Sequence, residues 1–332
     1  MARGVDLVQV HTNFEIGRRI VEQEQKGKGR AAYGKEVVKA LAGRLQDEFG
    51  SGFSERNLAY MRTFYLLYRE RKPILQSAPA ESLTLVKPRE ETSHFTLSWT
   101  HYVFLLGIRN SDERSFYEIE AARQDWTVRE LKRQFNSSLY ERLALSRDKD
   151  GIRRLAKEGQ TVAKPEDLLK EPLVLEFLGL GEEARFSESD LETAIISRIE
   201  RFLLELGKGF LFESRQRRFT FDDEHYYVDL VFYNRLLRCY VLVDLKLGKL
   251  AHQDLGQMQM YVNYFDREVK ISGENPTVGI ILCKQKNSAL VRITLPVDAN
   301  IHAREYRLYL PSKEELQRKL LQWASEQELG DA

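Results

Sequence analysis

The chain has 332 residues, 42% of them hydrophobic and 30% charged, with a formal net charge of +1. That length suits about two domains, and the composition is that of an ordinary soluble protein. No apolar run approaches the roughly 20 residues of a membrane-spanning helix, and MARGVDLVQVHTNF lacks the apolar core of a secretory signal. The two cysteines, Cys239 and Cys283, lie in apolar strand-like segments and read as reduced structural thiols. A cytoplasmic protein with no membrane partner is the expectation, and any nucleic-acid contact must come from local basic clusters rather than from bulk charge.

Helical periodicity dominates from about Asn13 to Tyr140. Phe14, Ile16, Ile20 and Val21 form one stripe before the loop KGKGR. Val37, Val38, Leu41, Leu45 and Phe49 form the next, closed at Gly50–Ser51–Gly52. Ser54 then caps a helix whose buried face is Leu58, Met61, Phe64, Tyr65 and Tyr68. Two helices joined by a short glycine-containing turn can be a helix-turn-helix offering Arg56, Asn57 and Arg62 to DNA, or an ordinary αα-hairpin with a solvated face. Residues 73–97 read as an irregular connector. Three more helices follow: LSWTHYVFLLGI capped by Ser98 or Thr100, NSDERSFYEIEAARQ capped by Asn110 or Ser111, and WTVRELKRQFNSSLYERL after a Thr127–Glu130 capping box. Arg129, Lys132 and Arg133 on the last can contact phosphates or form a wet face. The run over residues 97–134 resembles the helix-turn-helix region of chromosome-partition DNA-binding proteins.

A charged joint punctuated by Gly151, Gly159 and Pro165 divides the chain into a helical domain (1–150), a linker (151–165) and a second domain (166–332). Pro165 with Glu166 and Asp167 suggests a short helix through Leu178. SESDLETAIISRIERFLLELGKGF reads as one helix, capped by Ser187 or Ser189, with Ile195, Ile199, Phe202 and Leu206 inward and Gly207 and Gly209 at its end. After it come a strand in FLFESRQRRFTF, a hairpin over YYVDLVFYNRLLRCYVLVDLKLGK, and a helix around AHQDLGQMQMYVNYFDRE. PTVGIILCKQ reads as a buried strand, EYRLYLP as another, and SKEELQRKLLQWASEQ as a C-terminal helix. The fold expected is α plus α/β: an all-helical, helix-turn-helix-like domain, then a mixed sheet flanked by helices.

The chemistry concentrates in the hairpin. Asp229 interrupts one apolar strand, and Asp244 and Lys246 interrupt the other, two residues apart and so on one face. If Asp229 faces Asp244, the turn centres near Leu236–Leu237 and the two Cβ atoms come within roughly 5 Å. Paired buried carboxylates repel unless a proton or cation lies between them. Oxygen donors with no nearby His or Cys cluster favour Mg²⁺ or Mn²⁺. An Asp-x-Lys triplet alone is as well explained by a solvated pair at a strand end; Asp229 upstream and the apolar flanks favour a site. Lys246 can orient or help deprotonate a water, or neutralise charge on a phosphate oxygen. Gln257 and Tyr261 share a helix face. Arg215, Arg217 and Arg218, with Lys208, form the densest basic cluster of this half, suited to a DNA backbone or to a charge-protected strand edge.

Asp229, followed after 14 residues by Asp244–Leu245–Lys246, resembles the PD-(D/E)xK nuclease superfamily. The wider run from DLVFYNRLLRCYVLVDLKLGK through GQMQMYVNYFDREVK, together with GFSERNL and LYERLALSRDK, resembles the bacterial YhcG-type family of PD-(D/E)xK nucleases over nearly the whole chain. The resemblance implies a helical DNA-binding-like domain fused to a restriction-endonuclease-like domain. It also implies Asp229 and Asp244 as metal ligands and Lys246 as the catalytic lysine, with one more acid from the preceding helix, Glu192 or, failing that, Glu200. Gln257 and Tyr261 match the Gln-x-x-x-Tyr element of RecB-like members, near the active site. Val228 stands in place of the motif proline and Asp244 in place of glutamate, and neither change removes a needed functional group. The function implied is a Mg²⁺- or Mn²⁺-dependent nuclease acting on DNA. The alternatives are a non-catalytic DNA-binding or scaffold protein, or an RNA-directed nuclease. Cutting two strands with one site per chain would favour a homo-oligomer.

Overall fold

The computed structural model describes residues 2–26, 32–70, 95–147, 149–181, 185–296 and 298–320. The KGKGR loop beyond Lys26, the connector up to residue 94 and the C-terminal helix beyond residue 320 lie outside them; that last helix is present over 313–320. Internal contacts divide the chain into two compact units, Met1–Lys132 and Arg133–Ala332. Among the described residues no helix is long and apolar enough to cross a membrane.

The first unit is helical: α1 (Ala2–Lys26), α2 (Ala32–Phe49), α3 (Glu55–Tyr68), α4 (Trp99–Leu105), α5 (Ser111–Arg123) and the start of α6 (Val128–Asn136). The caps legible in the sequence form. Gly50 ends α2 at φ +86°, Ser54 Oγ accepts from Asn57 N, and Asn110 Oδ1 accepts from Asp112 N and Glu113 N. Thr127 and Glu130 close a reciprocal capping box at 2.7 and 3.2 Å. The core of this unit is aromatic, with Phe64 at its centre, its ring 4.8 Å from Phe95, 4.9 Å from Tyr102 and 5.4 Å from Trp99.

The second unit continues with α7 (Leu139–Ala144), α8 (Lys149–Glu158), a 3₁₀ turn at Pro165–Leu168, β1 (Leu173–Val174) and a 3₁₀ turn at Glu176–Leu178. Then come α9 (Glu188–Ser197), α10 (Ile199–Leu206), β2 (Phe210–Phe221), β3 (Glu224–Asn234), β4 (Cys239–Lys249) and α11 (His252–Tyr264), which runs on into a π-helical turn at Phe265–Val269. Finally β5 (Val278–Gln285), α12 (Ser288–Thr294) and β6 (Ile301–Arg307) complete the fold. The strands lie in the order β1-β6-β5-β4-β3-β2. The pairs β2/β3 and β3/β4 are antiparallel, and β4/β5, β5/β6 and β1/β6 are parallel. The sheet is covered on both faces. Leu191, Ile195, Phe202 and Leu206 of α9 and α10 pack on Leu230, Phe232, Val241 and Val243. Leu255, Met258, Tyr261 and Val262 of α11 pack on Val231, Leu242 and Ile281. α11 lies close enough over β5 that a Cβ on Gly279 would meet Met258 at 2.7 Å.

Several expectations are corrected. The helix read from Thr127 onward breaks after Asn136, where Ser138 takes φ +51° and α7 begins anew. Part of the expected linker is α8, and the expected helix over 165–178 is instead a tight turn and edge strand β1, which hydrogen-bonds to β6. The single helix read over 187–206 is two, separated at Arg198 (φ −130°), each laying its own apolar residues on the sheet. The last strand spans Ile301–Arg307 rather than EYRLYLP. Within the second compact unit, Arg142 of α7 is buried against Glu205 of α10.

Candidate nuclease site

The β3–β4 ladder pairs Asn234 with Cys239 and runs to Leu230 with Val243, so its centre falls between Leu236 and Leu237. Asn234 closes the turn, its Oδ1 accepting from Leu236 N and Leu237 N at 3.1 Å each. One step beyond Leu230–Val243, the same register sets Asp229 opposite Asp244. There the side chain of Asp229 itself binds the neighbouring backbone: Leu245 N donates to Asp229 Oδ2 at 2.8 Å.

Asp244 is 3% exposed. Lys246 Nζ lies 2.9 Å from its Oδ2, an ion pair of the buried carboxylate with the ammonium. Burial, reinforced by the charge of Asp229, pushes the Asp244 carboxyl up to about 7, with Lys246 only partly opposing it. Burial pulls Lys246 down, but the carboxylates of Asp244 and Glu188 outweigh it and hold the amine above its ordinary value, as an ammonium. Glu188, at the first turn of α9, sits 3.9 Å from Lys246 Nζ and accepts from Leu247 N at 3.2 Å.

A glutamine joins the other acids. In the β2–β3 ladder Arg215 pairs with Leu230 and Arg217 with Val228, and between them Gln216 takes φ +45°. Its Nε2 donates to Glu192 Oε2 at 2.6 Å and to Asp229 Oδ1 at 3.1 Å. Glu192 is 7% exposed, and burial raises its carboxyl, with Gln216 lowering it and Asp229 raising it. Of the two candidate helix acids Glu192 therefore stands at the cluster, whereas Glu200 is exposed on α10. From α11, Gln257 Nε2 donates to Tyr261 Oη. Burial pushes that hydroxyl up to about 12, against the hydrogen bond from Gln257 and with Asp244 and Asp229 adding to the rise, so Tyr261 borders the carboxylates.

The basic residues divide. Arg215, Arg217 and Arg218 are exposed on β2. Arg217 pairs with Glu213 at 2.7 Å, Arg218 lies 3.0 Å from His225 Nε2, and the charge of Arg215 reaches Glu192. Arg56 and Arg129 are exposed, Arg56 bonded to Tyr60 Oη at 2.9 Å. Arg62 is engaged by Glu24 of α1 at 2.7 Å, and Arg133 by Glu176 at 3.3 Å. Gln216 and Glu188 escaped the sequence reading. Glu188 carried only a helix-start signal, and Gln216 was one polar residue in an arginine-rich strand.

Among the described residues no three His, Cys, Asp or Glu side chains form a ready cation cage. Asp229 and Asp244 offer two carboxylates, the second of them buried. That donor set suits a hard divalent ion held by one or two carboxylates and keeping several of its waters.

A mixed sheet with helices on both faces, joined by a helical N-terminal region, is the restriction-endonuclease-like architecture of a PDDEXK nuclease. Residues 166–321 match the YhcG PDDEXK nuclease domain, and residues 1–142 the DUF1016 N-terminal domain. Over 334 residues the chain is 40% identical to "Putative nuclease YhcG" of Escherichia coli (strain K12), covering 96% of this chain and 88% of that protein. The chain belongs to the YhcG family of PDDEXK nucleases. Among solved structures, a repair endonuclease from Pyrococcus abyssi matches at 16% identity and a TM-score of 0.26, covering 40% of this chain and 50% of its own. An EndoMS-dsDNA2 complex matches at 18% identity and a TM-score of 0.27, covering 40% and 49%.

Proposed function

We propose that this protein hydrolyses DNA phosphodiester bonds with a divalent cation, Mg²⁺ or Mn²⁺, held by Asp229 and Asp244. The observation that carries the reading is the Asp229–Asp244 pair itself: a buried carboxylate pushed up to about 7 by burial and by a second acid opposite it is a position that a cation stabilises. A bound Mg²⁺ or Mn²⁺ supplies an activated water and neutralises charge on the phosphate. Lys246, kept as an ammonium beside Asp244, donates to the phosphate oxygens as negative charge builds on them. Glu192, tied to Asp229 through Gln216, orients that carboxylate, and Gln257 and Tyr261 close the α11 side of the site. The exposed arginines of β2, Arg215, Arg217 and Arg218, are placed to hold the strand by its phosphates. The helical unit, through Arg56 and Arg129, targets the enzyme to DNA in the cytoplasm.

The test is the purified chain with plasmid, linear and branched DNA, and with RNA of the same sequence, in Mg²⁺ or Mn²⁺. Cleavage is expected to vanish in EDTA and in Asp244→Ala, and to fall by at least about 10²-fold in Lys246→Ala. Equal cleavage by Asp244→Ala and the unaltered chain would falsify the site assignment.

A further inference from the structure

The β2–β3 hairpin ends in an aromatic residue that the fold leaves in solvent. Phe221 pairs with Glu224 across a two-residue turn, Asp222–Asp223, in which both aspartates take positive φ, +52° and +61°. That is the tight turn whose twist matches its strands, so the backbone of Phe221 is held in place. Its ring is nevertheless 68% exposed. It lines a pocket of about 680 Å³ between the hairpin and α11, together with Met260, Asn263, Tyr264 and Arg267. That volume falls within the roughly 300–1,000 Å³ of sites for small organic groups. One wall is aromatic and fixed. Phe219, buried, stands nearly parallel to Tyr264 at 4.1 Å and 13°, and to Tyr226 at 5.5 Å and 24°.

The lining suits a planar ring rather than a bare phosphate. Arg267 is exposed and makes no ion pair among the described residues. Asn263 Oδ1 accepts from Gln259 Nε2 at 3.1 Å, which leaves its amide N–H groups without a partner among the described residues. Glu268 also lines the pocket, and Asp222 and Asp223 follow Phe221, so the site is not a cation cluster. A nucleobase meets each of these surfaces. Its face stacks on the rings, its edge heteroatoms accept from Asn263, and its phosphate is drawn to Arg267 and repelled by the acidic turn.

The pocket opens on the same side of the sheet as the acidic site. Phe219 belongs to the core layer beneath α11, and its ring meets that of Tyr261 at 5.6 Å, edge to face. Tyr261 in turn borders Asp244 and Asp229. Along α11 and its π-helical turn, Met260, Asn263, Tyr264 and Arg267 form one stripe, next to that of Gln257 and Tyr261. Along β2, the exposed Arg215, Arg217 and Arg218 lead into Phe219 and Phe221. Cations beside ring faces are what a single strand of nucleic acid requires, because its phosphates need the first and its unpaired bases the second. A base inside a duplex is already stacked on both faces.

We propose that Phe221, Met260 and Tyr264, with Asn263 and Arg267, bind an unpaired nucleobase of the strand that enters the site past Tyr261, so that the substrate carries an unpaired segment, as single-stranded or branched DNA does. The inference rests on the nuclease reading for the identity of the strand; the affinity of the pocket for an unpaired base does not require cleavage.

The test uses the full chain in EDTA, so that no strand is cut. Binding of three fluorescein-labelled DNAs, a single strand, its duplex and a strand of abasic residues, is followed by anisotropy over a range of salt. Phe221→Ala removes an exposed ring and Arg267→Gln an exposed charge, so both variants keep the fold, and Phe221→Trp restores a ring. Phe221→Ala is expected to bind the single strand at least about fivefold more weakly, with its log–log salt slope unchanged, while Phe221→Trp binds as wild type does. Arg267→Gln should lower the slope by about 0.7. The duplex and the abasic strand should bind wild type and Phe221→Ala alike. Equal binding of the single strand by wild type and Phe221→Ala overturns the pocket, and so does an equal loss on the duplex or the abasic strand. Deoxyadenosine monophosphate serves as competitor. Displacement only at concentrations far above that of the oligonucleotide supports a strand, and displacement at equal concentration overturns the strand in favour of a free nucleotide. Cleavage in Mg²⁺ or Mn²⁺ separates the two readings. Weakened single-strand binding by Phe221→Ala in a chain that cleaves no DNA keeps the pocket and sinks the nuclease reading, and unweakened binding in a chain that does cleave DNA has the reverse meaning.

Discussion

Because burial and Asp229 hold the Asp244 carboxyl at about 7 in the folded chain, against about 3.9 in an unfolded one, its protonation is linked to stability. The folded state binds the extra proton, so the contribution is fully present below pH 4 and lost as pH rises towards 7. In EDTA, Asp244→Asn is therefore expected to match wild type near pH 4 and to exceed it by up to about 4 kcal/mol at pH 7. Urea midpoints at both pH values check this, and a gap that fails to widen with pH refutes it. Gln216 presents a different case. Its φ of +45° is a conformation that glycine and asparagine tolerate, so Gln216→Gly removes the bridge to Glu192 and Asp229 without straining β2. Outer-shell partners of this kind are worth about 10–100-fold in metal affinity. Calorimetry should show Mn²⁺ affinity falling at least tenfold in Gln216→Gly, and less in Gln216→Asn, whose shorter arm retains an amide. Undiminished Mn²⁺ binding by the glycine variant would mean that the bridge is incidental. The two residues also mark what a sequence can convey. Charges placed at alternating positions in apolar strands drew attention to Asp229, Asp244 and Lys246 together. The reach of Gln216 depends on a backbone kink that no residue-type preference announces.

At the scale of elements, helix positions were legible where a cap or a stripe was strong and illegible where tertiary contacts override propensity. The continuous apolar pattern of 187–206 hides the break at Arg198. β6, with Ile301, Ala303 and Tyr306 inward, is interrupted by His302, Arg304 and Glu305, and the partner of Arg304, Glu171, lies far away in sequence, so the start of the strand at Ile301 is not marked by a regular alternation. The α1–α3 contact was hidden for a simpler reason: it depends on an absent side chain. A Cβ on Gly17 would stand 2.1 Å from the Met61 carbonyl oxygen, which is backbone and cannot rotate away. Gly17→Ala should therefore force the helices apart, costing at least about 2 kcal/mol against the roughly 1 kcal/mol that alanine returns through helix propensity. A lowered thermal midpoint of the full chain, with α1 unfolding first by hydrogen exchange, is the expected result; a raised midpoint would show that the two helices can separate at no cost.

For the whole molecule, the match of residues 1–142 and 166–321 to two family domains and the physical division after Lys132 place the boundary differently, and the buried charges decide between them. Arg142 is fully buried. Its guanidinium pairs with Glu205 and donates to the carbonyls of Ser137 and Pro172. Burial alone would raise the Glu205 carboxyl, but Arg142 and Lys170 hold it low, as a carboxylate that also accepts from Val174 N. Lys170 in turn donates to the Glu205 carbonyl. Further links run the same way, from Arg147 to Asp167 at 3.6 Å and from Lys313 to Glu141 at 3.4 Å. A chain beginning at residue 166 keeps Glu205 and loses Arg142, leaving a buried carboxylate answered by Lys170 and the Val174 amide without its guanidinium. Removing one partner of such a pair typically costs about 3–5 kcal/mol, a large share of the stability of a domain this size. The fragment 133–332 should unfold cooperatively in urea and retain divalent-metal binding. The fragment 166–332, cut at the start of the matched nuclease domain, should unfold at a much lower urea concentration or remain molten. Coincident midpoints for the two fragments would show that Glu205 finds another partner and that residues 133–165 are dispensable to the nuclease core.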